Sequence, residues 1–163
     1  MHRLILILIL GTSSLPSWGH GDEDHSEMKK EIQPVASADN ELKQKYTQIN
    51  KLYIKTVKPI FKKSCFDCHG NTTNYPWYYK VPGVKQLIDS DIKESKKHLD
   101  FSKDFPFISH ETPLKDLDAI GKSVNNNSMP PFRYLIMHGD KKLTKDEIKQ
   151  VDKWIRESKE LLK

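Results

Sequence analysis

Over residues 41–57 apolar side chains recur at three- and four-residue steps, Leu42, Tyr46, Ile49, Tyr53 and Val57, with lysines on the opposite face. This period predicts an amphipathic helix. Pro59 interrupts the stripe, and because proline is tolerated in a first turn, residues 59–63 are expected to begin a short new turn that leads into Cys65. Residues 84–98 carry a second stripe of Leu87, Ile88 and Ile92, with Leu99 just beyond it. Residues 112–124 carry a third of Leu114, Leu117, Ile120 and Val124, weakened by Gly121. The last element is the best defined. Thr144 and Glu147 have capping-box spacing, Leu143 and Ile148 that of a hydrophobic staple, and Ile148, Val151, Ile155, Ser158 and Leu162 follow on one face beside Trp154. No period-two alternation is sustained and no repeat occurs, so the expected class is all-α with long loops.

The first forty residues follow different rules. Met1-His2-Arg3, the apolar run Leu4 to Leu10 and then Gly11-Thr12-Ser13-Ser14 read as a secretory signal peptide over residues 1–19, with Ser17 and Gly19 marking cleavage before His20. The run is shorter than the roughly 20 apolar residues a bilayer requires. The chain is therefore expected to be exported, periplasmic in a bacterium, with no stable membrane span after cleavage; a retained N-terminal anchor is the alternative. Residues 20–40, HGDEDHSEMKKEIQPVASADN, are poor in large apolar side chains and read as a flexible leader. His20 and His25 within it lack the fixed geometry of a metal site. Residues 41–163 then form one domain, which a chain of 163 residues readily accommodates.

Charge narrows the partners. The formal net charge of +5 falls to +4 without Arg3, from 26 basic and 22 acidic residues. Export and the lack of a concentrated basic motif argue against nucleic acid. Lys62, Lys63, Lys80 and Lys85 flank the candidate chemistry, either to steer an acidic redox partner or simply as solvated surface.

That chemistry centres on Ser64-Cys65-Phe66-Asp67-Cys68-His69-Gly70, which holds both cysteines of the chain. In an oxidising compartment two thiols this close would make a poor structural staple, because a disulfide stabilises more when it closes a longer loop. A Cys-x-x-Cys-His run matches a c-type haem attachment site, where each thiol adds to a vinyl group and the histidine binds iron. Zinc would need further ligands from distant histidines. A redox dithiol would call for a βαβ setting that the helical flanks do not supply. For the opposite side of iron, Met129 stands directly before Pro130-Pro131, which stiffen the chain. His138 is the alternative distal ligand, while Met28, Met137, His98 and His110 lack a comparable setting. The loop GNTTNYPWYYKVPG carries Tyr75, Trp77, Tyr78 and Tyr79 and is expected to wall a buried pocket.

The runs VKPIFKKSCFDCHGNTTNYPWYYKVPGV, HLDFS and NNNSMPPFRYLIMHGDKKLTKDEIKQVDKWI resemble the bacterial haem-binding domain family of monohaem c-type cytochromes, over roughly residues 45–160. The resemblance implies a cytochrome c-like, all-α domain around one covalent haem c, attached at Cys65 and Cys68 and ligated by His69 and Met129. Tyr134 and His138 match the family pattern as supporting residues, and Tyr75, Trp77 and Tyr134 become candidates for the haem pocket. Where relatives carry a Trp and a His, this chain has Gln86, Asp89, Ser90 and Asp91. A His/Met-ligated iron has no vacant position, so the implied function is single-electron transfer rather than catalysis, with unidentified redox proteins as partners. A peroxidase-like enzyme and a gas or redox sensor, each with a labile sixth ligand, are the alternatives.

Overall fold

The computed structural model describes residues 33–163. The expected signal segment 1–19 and residues 20–32, with His20, His25 and Met28, lie outside the described residues. Chain contacts set off Val35–Lys163 as one compact unit.

The first stripe folds as expected but begins earlier and ends differently. Helix α1 spans Gln33–Leu52. It starts inside the stretch expected as leader, where Pro34 sits in a permitted first turn and residues 35–42 include good helix formers. It then passes into a π-helical turn, Tyr53–Val57, and α2, Lys58–Ser64, with Pro59 in its first turn. Ile49, Tyr53 and Val57 are fully buried, whereas Leu42 at the outer end of the stripe is exposed. Each fully buried side chain of this size stabilises the fold by about 1.5–3 kcal/mol relative to exposure.

Helix α3 is the single turn Phe66–His69; α4 spans Val84–His98, α5 Pro113–Asn125, α6 Phe132–Leu135 and α7 Lys145–Leu161. Gly83, at φ +85°, enters α4 from the left-handed region that favours glycine, and its N–H donates to the Gln86 side chain at 2.7 Å. Both halves of the Thr144/Glu147 capping box are made. In α5 the inward residues are Asp116, Leu117, Ile120 and Val124. Leu114, expected inside, is exposed, and the buried Asp116 carboxylate accepts from Ser109 Oγ at 2.8 Å. Among the described residues there is no β-strand, only an isolated bridge between Asp100 and Ile108. The class is all-α, as the periodicity requires. No described helix is long and apolar enough to cross a membrane.

Helix α7 packs on α5 and on the π-turn. Its Trp154 ring lies 5.6 Å from that of Tyr53 and donates its indole N–H to the Ile49 carbonyl at 3.4 Å. Three further rings come from outside the helices. Phe101, Phe105 and Phe107 are all buried, and Phe107 lies 5.1 Å from Tyr53. Phe61 stands 4.9 Å from Phe101. This aromatic core is the floor on which the cysteine turn sits.

Candidate functional site

Cys65 ends α2, its N–H donating to Phe61 O at 2.7 Å, and its own carbonyl accepts from the N–H groups of Cys68 and His69 at 3.2 and 2.9 Å. Both thiols and the imidazole thus emerge from one turn. Phe66 anchors that turn in the core, and Gly70 closes it with an N–H to Phe66 O bond of 2.9 Å. A Cβ at Gly70 would stand 2.7 Å from the Phe66 ring, so the position has no room for a side chain.

His69 is held from both ends. Its Nδ1 lies 2.7 Å from the Leu99 carbonyl, which can only accept, so Nδ1 carries the proton and Nε2 keeps its lone pair. The Phe101 N–H donates to His69 O at 2.7 Å and the Phe101 ring lies 5.4 Å away. Burial lowers the imidazole pKa and so favours the neutral ring, an effect that the Leu99 hydrogen bond opposes only in part. A neutral ring with one nitrogen bonded and the other available is a metal ligand fixed by its outer-shell partner.

The thiols point the same way by exclusion. Burial, with Cys68 nearby, pushes the Cys65 thiol up to about 12; burial followed by Asp67 raises Cys68. Neither cysteine is in a disulfide. A redox dithiol needs a depressed pKa, so that alternative loses ground. Among the described residues no three or more His, Cys, Asp or Glu side chains form a group able to hold a metal ion.

Asp67, between the cysteines, joins this turn to two distant segments. Its Oδ1 accepts from Asn74 N–H at 3.0 Å and its carbonyl from Thr73 Oγ1 at 3.0 Å, pinning the aromatic loop. Its Oδ2 accepts from the Tyr134 hydroxyl at 2.6 Å. The Tyr134 ring stacks on His138 at 4.4 Å, and His138 Nε2 lies 2.6 Å from the Tyr78 hydroxyl in the 3-10 turn Trp77–Lys80. Arg133 pairs with Asp91 of α4 at 2.6 Å. Sequence reasoning had assigned no role to Asp67, the Leu99 carbonyl or Phe101. Asp67 was visible only as one of the two unspecified positions of Cys-x-x-Cys.

Met129 lies between α5 and α6 in the chain. Its N–H donates to Ser123 O at 3.4 Å, Pro130 behind it is buried, and its own side chain is exposed. The aromatic loop departs from expectation. The Tyr75 ring lies tilted against that of Tyr79 at 4.2 Å, yet Tyr75 is exposed and Trp77 is 79% exposed, so the protein's own atoms do not close a pocket around them. Two of the steering lysines are also engaged, Lys63 with Glu147 and Lys85 with Asp89. His98 pairs loosely with Glu94 at 3.4 Å and lies 6.1 Å from His110, ring to ring.

The exposed apolar side chains are not scattered. Among the described residues, eight of the twelve large exposed hydrophobics fall within residues 75–87 and 129–137, the two segments tied to the cysteine turn. Uncovered apolar surface of this extent beside two thiols and a neutral imidazole fits a large planar macrocycle that bonds to sulfur and nitrogen.

Comparisons with known proteins agree. The family model described as "Haem-binding domain" matches residues 28–157. The cytochrome c peroxidase Ccp of Escherichia coli (strain K12) is 31% identical over 103 residues, 62% of this chain and 22% of that protein. The chain thus spans about a fifth of that relative's length. No solved structure matches the chain.

Proposed function

Since the chain belongs to the haem-binding domain family, we propose that it is an exported monohaem c-type cytochrome that carries single electrons between periplasmic redox proteins. Haem supplies an iron that gains and loses one electron at a time. Cys65 and Cys68 would hold it covalently, their two thiols forming thioethers with its two vinyl groups. His69 gives iron the Nε2 lone pair, and the observation that carries this reading is the Leu99 carbonyl fixing the opposite nitrogen. Met129 would supply the iron's other protein ligand, a thioether, which favours a higher reduction potential. His138 is the weaker distal candidate because its Nε2 faces the Tyr78 hydroxyl. Tyr75, Trp77 and Tyr134 stand around the cofactor rather than on the iron.

The test is the ferric visible spectrum of protein secreted from a host able to attach c-type haem. Wild type is expected to be low-spin with an iron–sulfur charge-transfer band. Met129→Ala is expected to lose the band and become high-spin or differently ligated, with covalent attachment intact. An unchanged spectrum would pass the distal role to another residue, while failure of wild type to attach haem would return Cys65 and Cys68 to the dithiol and zinc readings.

A peroxidase-like activity is the second reading, favoured by the name of the partial relative. It requires an open sixth position. Binding of carbon monoxide to the reduced wild type, with turnover of hydrogen peroxide, would move the assignment there; carbon monoxide binding without turnover would favour a sensor.

A further inference from the structure

Met129 is attached to the rest of the protein by a short, stiff tether. On one side its N–H bonds to Ser123 O at the end of α5. On the other, only Pro130, Pro131, Phe132 and Arg133 separate it from Tyr134. The prolines have fixed φ, and Phe132 and Arg133 lie in the single turn of α6, which the Tyr134 and Leu135 N–H groups close on Pro131 O at 3.0 and 3.1 Å. Wherever Tyr134 is held, Met129 is held too.

Tyr134 is held chiefly by Asp67. Their 2.6 Å hydrogen bond is short, as charge-assisted O–H···O bonds are, and half-buried. The carboxylate cannot swing away easily because its other oxygen accepts from Asn74 N–H. Tyr78 and His138 support the Tyr134 ring from behind. Arg133–Asp91 is more exposed and weaker.

We propose that Asp67 is the positioning residue for the distal ligand: by fixing Tyr134 it sets Met129, so that the residue between the two attachment cysteines also governs whether the sixth position of iron is closed. This rests on the cytochrome reading above. One hydrogen bond then biases the iron toward methionine and away from added ligands.

The experiment uses haem-loaded full-length protein and the variants Asp67→Ala, Tyr134→Phe and Asp67→Asn, the last keeping an acceptor for the tyrosine. Three quantities are read: the charge-transfer band, affinity of the ferric protein for imidazole, and hydrogen exchange across residues 129–138. Expected are a weakened band, roughly tenfold tighter imidazole binding and faster exchange in Asp67→Ala and Tyr134→Phe, with Asp67→Asn close to wild type. If Asp67→Ala does not attach haem, Tyr134→Phe, which leaves the attachment motif intact, decides alone. Should wild type itself lack the band, methionine ligation fails as a reading and overturns the proposal with it, whatever the exchange shows. Wild-type exchange in the loosened variants overturns it, as does wild-type imidazole affinity where the band is present.

Discussion

Helices α4 and α7 are of similar length, 15 and 17 residues, and both are amphipathic, yet they end in different surroundings. Helix α7 buries Val151, Trp154, Ile155 and Ser158 against α5 and the π-turn; α4 buries nothing fully and leaves Leu87 exposed. Helix α4 packs on α3 and on the 3-10 turn with Ile88 and Ile92 only half-buried, and polar bonds from Tyr79 to Asp89 and from Arg133 to Asp91 tie it to its neighbours. An amphipathic stripe that protein covers only in part leaves apolar surface for a non-protein partner. One half of the domain is thus complete in its own aromatic core, and the other half is where the proposed haem site lies.

The largest effect should come from removing the covalent links. Cys65→Ser combined with Cys68→Ser is expected to abolish covalent haem, read as the mass of the denatured protein. Hydrogen exchange should then rise in residues 84–98 and 129–138 while α7 stays protected. Equal loosening of α7 would show that the two halves are not energetically distinct.

Two tryptophans sharpen the contrast. Trp154, 2% exposed, contacts Tyr53, Phe61, Phe105 and Phe107. Trp154→Ala is expected to cost about 3–5 kcal/mol in urea unfolding, with or without haem. Trp77→Ala should cost less than about 0.5 kcal/mol in haem-free protein, as exposed positions do, and clearly more in the haem-loaded form. A cost for Trp77→Ala that ignores haem would remove Trp77 from the pocket.

The same contrast explains what the sequence could tell. Periodicity located α4, α5 and α7 well, because helix faces repeat locally, and Thr144 and Glu147 announced their cap by spacing alone. It could not say which stripe would be covered: Leu87 and Val151 are alike in pattern and differ in what packs on them. Phe101, Phe105 and Phe107 went unassigned because a loop has no period, although they supply three rings of the core. At the site, Cys65, Cys68 and His69 were legible as one motif because they stand in a single short run. Asp67 with Tyr134, and Tyr78 with His138, are pairs 67 and 60 residues apart, and only folding brings them together.

The smallest expected effect lies at the seam where α2, which leads into Cys65, meets the start of α7. Lys63 Nζ sits 2.6 Å from both carboxylate oxygens of Glu147, which also accepts from the Thr144 N–H. Burial alone would raise the Glu147 pKa, but the donors from Lys63 and Thr144 outweigh it and hold the carboxyl below its usual range. A carboxyl depressed in the folded state binds protons more readily when unfolded. Its contribution is therefore full above the ordinary glutamate value of about 4.3 and is lost as pH falls through the lower folded value. Both side chains are less than a third exposed, so about 0.5–1 kcal/mol is expected. Glu147→Gln should lose that amount at neutral pH and converge with wild type in acid, while the spectrum of bound haem stays unchanged. A shifted spectrum would mean that the seam between α2 and α7 is felt at the cysteine turn, and that the completed half of the domain is not independent of the half where the proposed haem site lies.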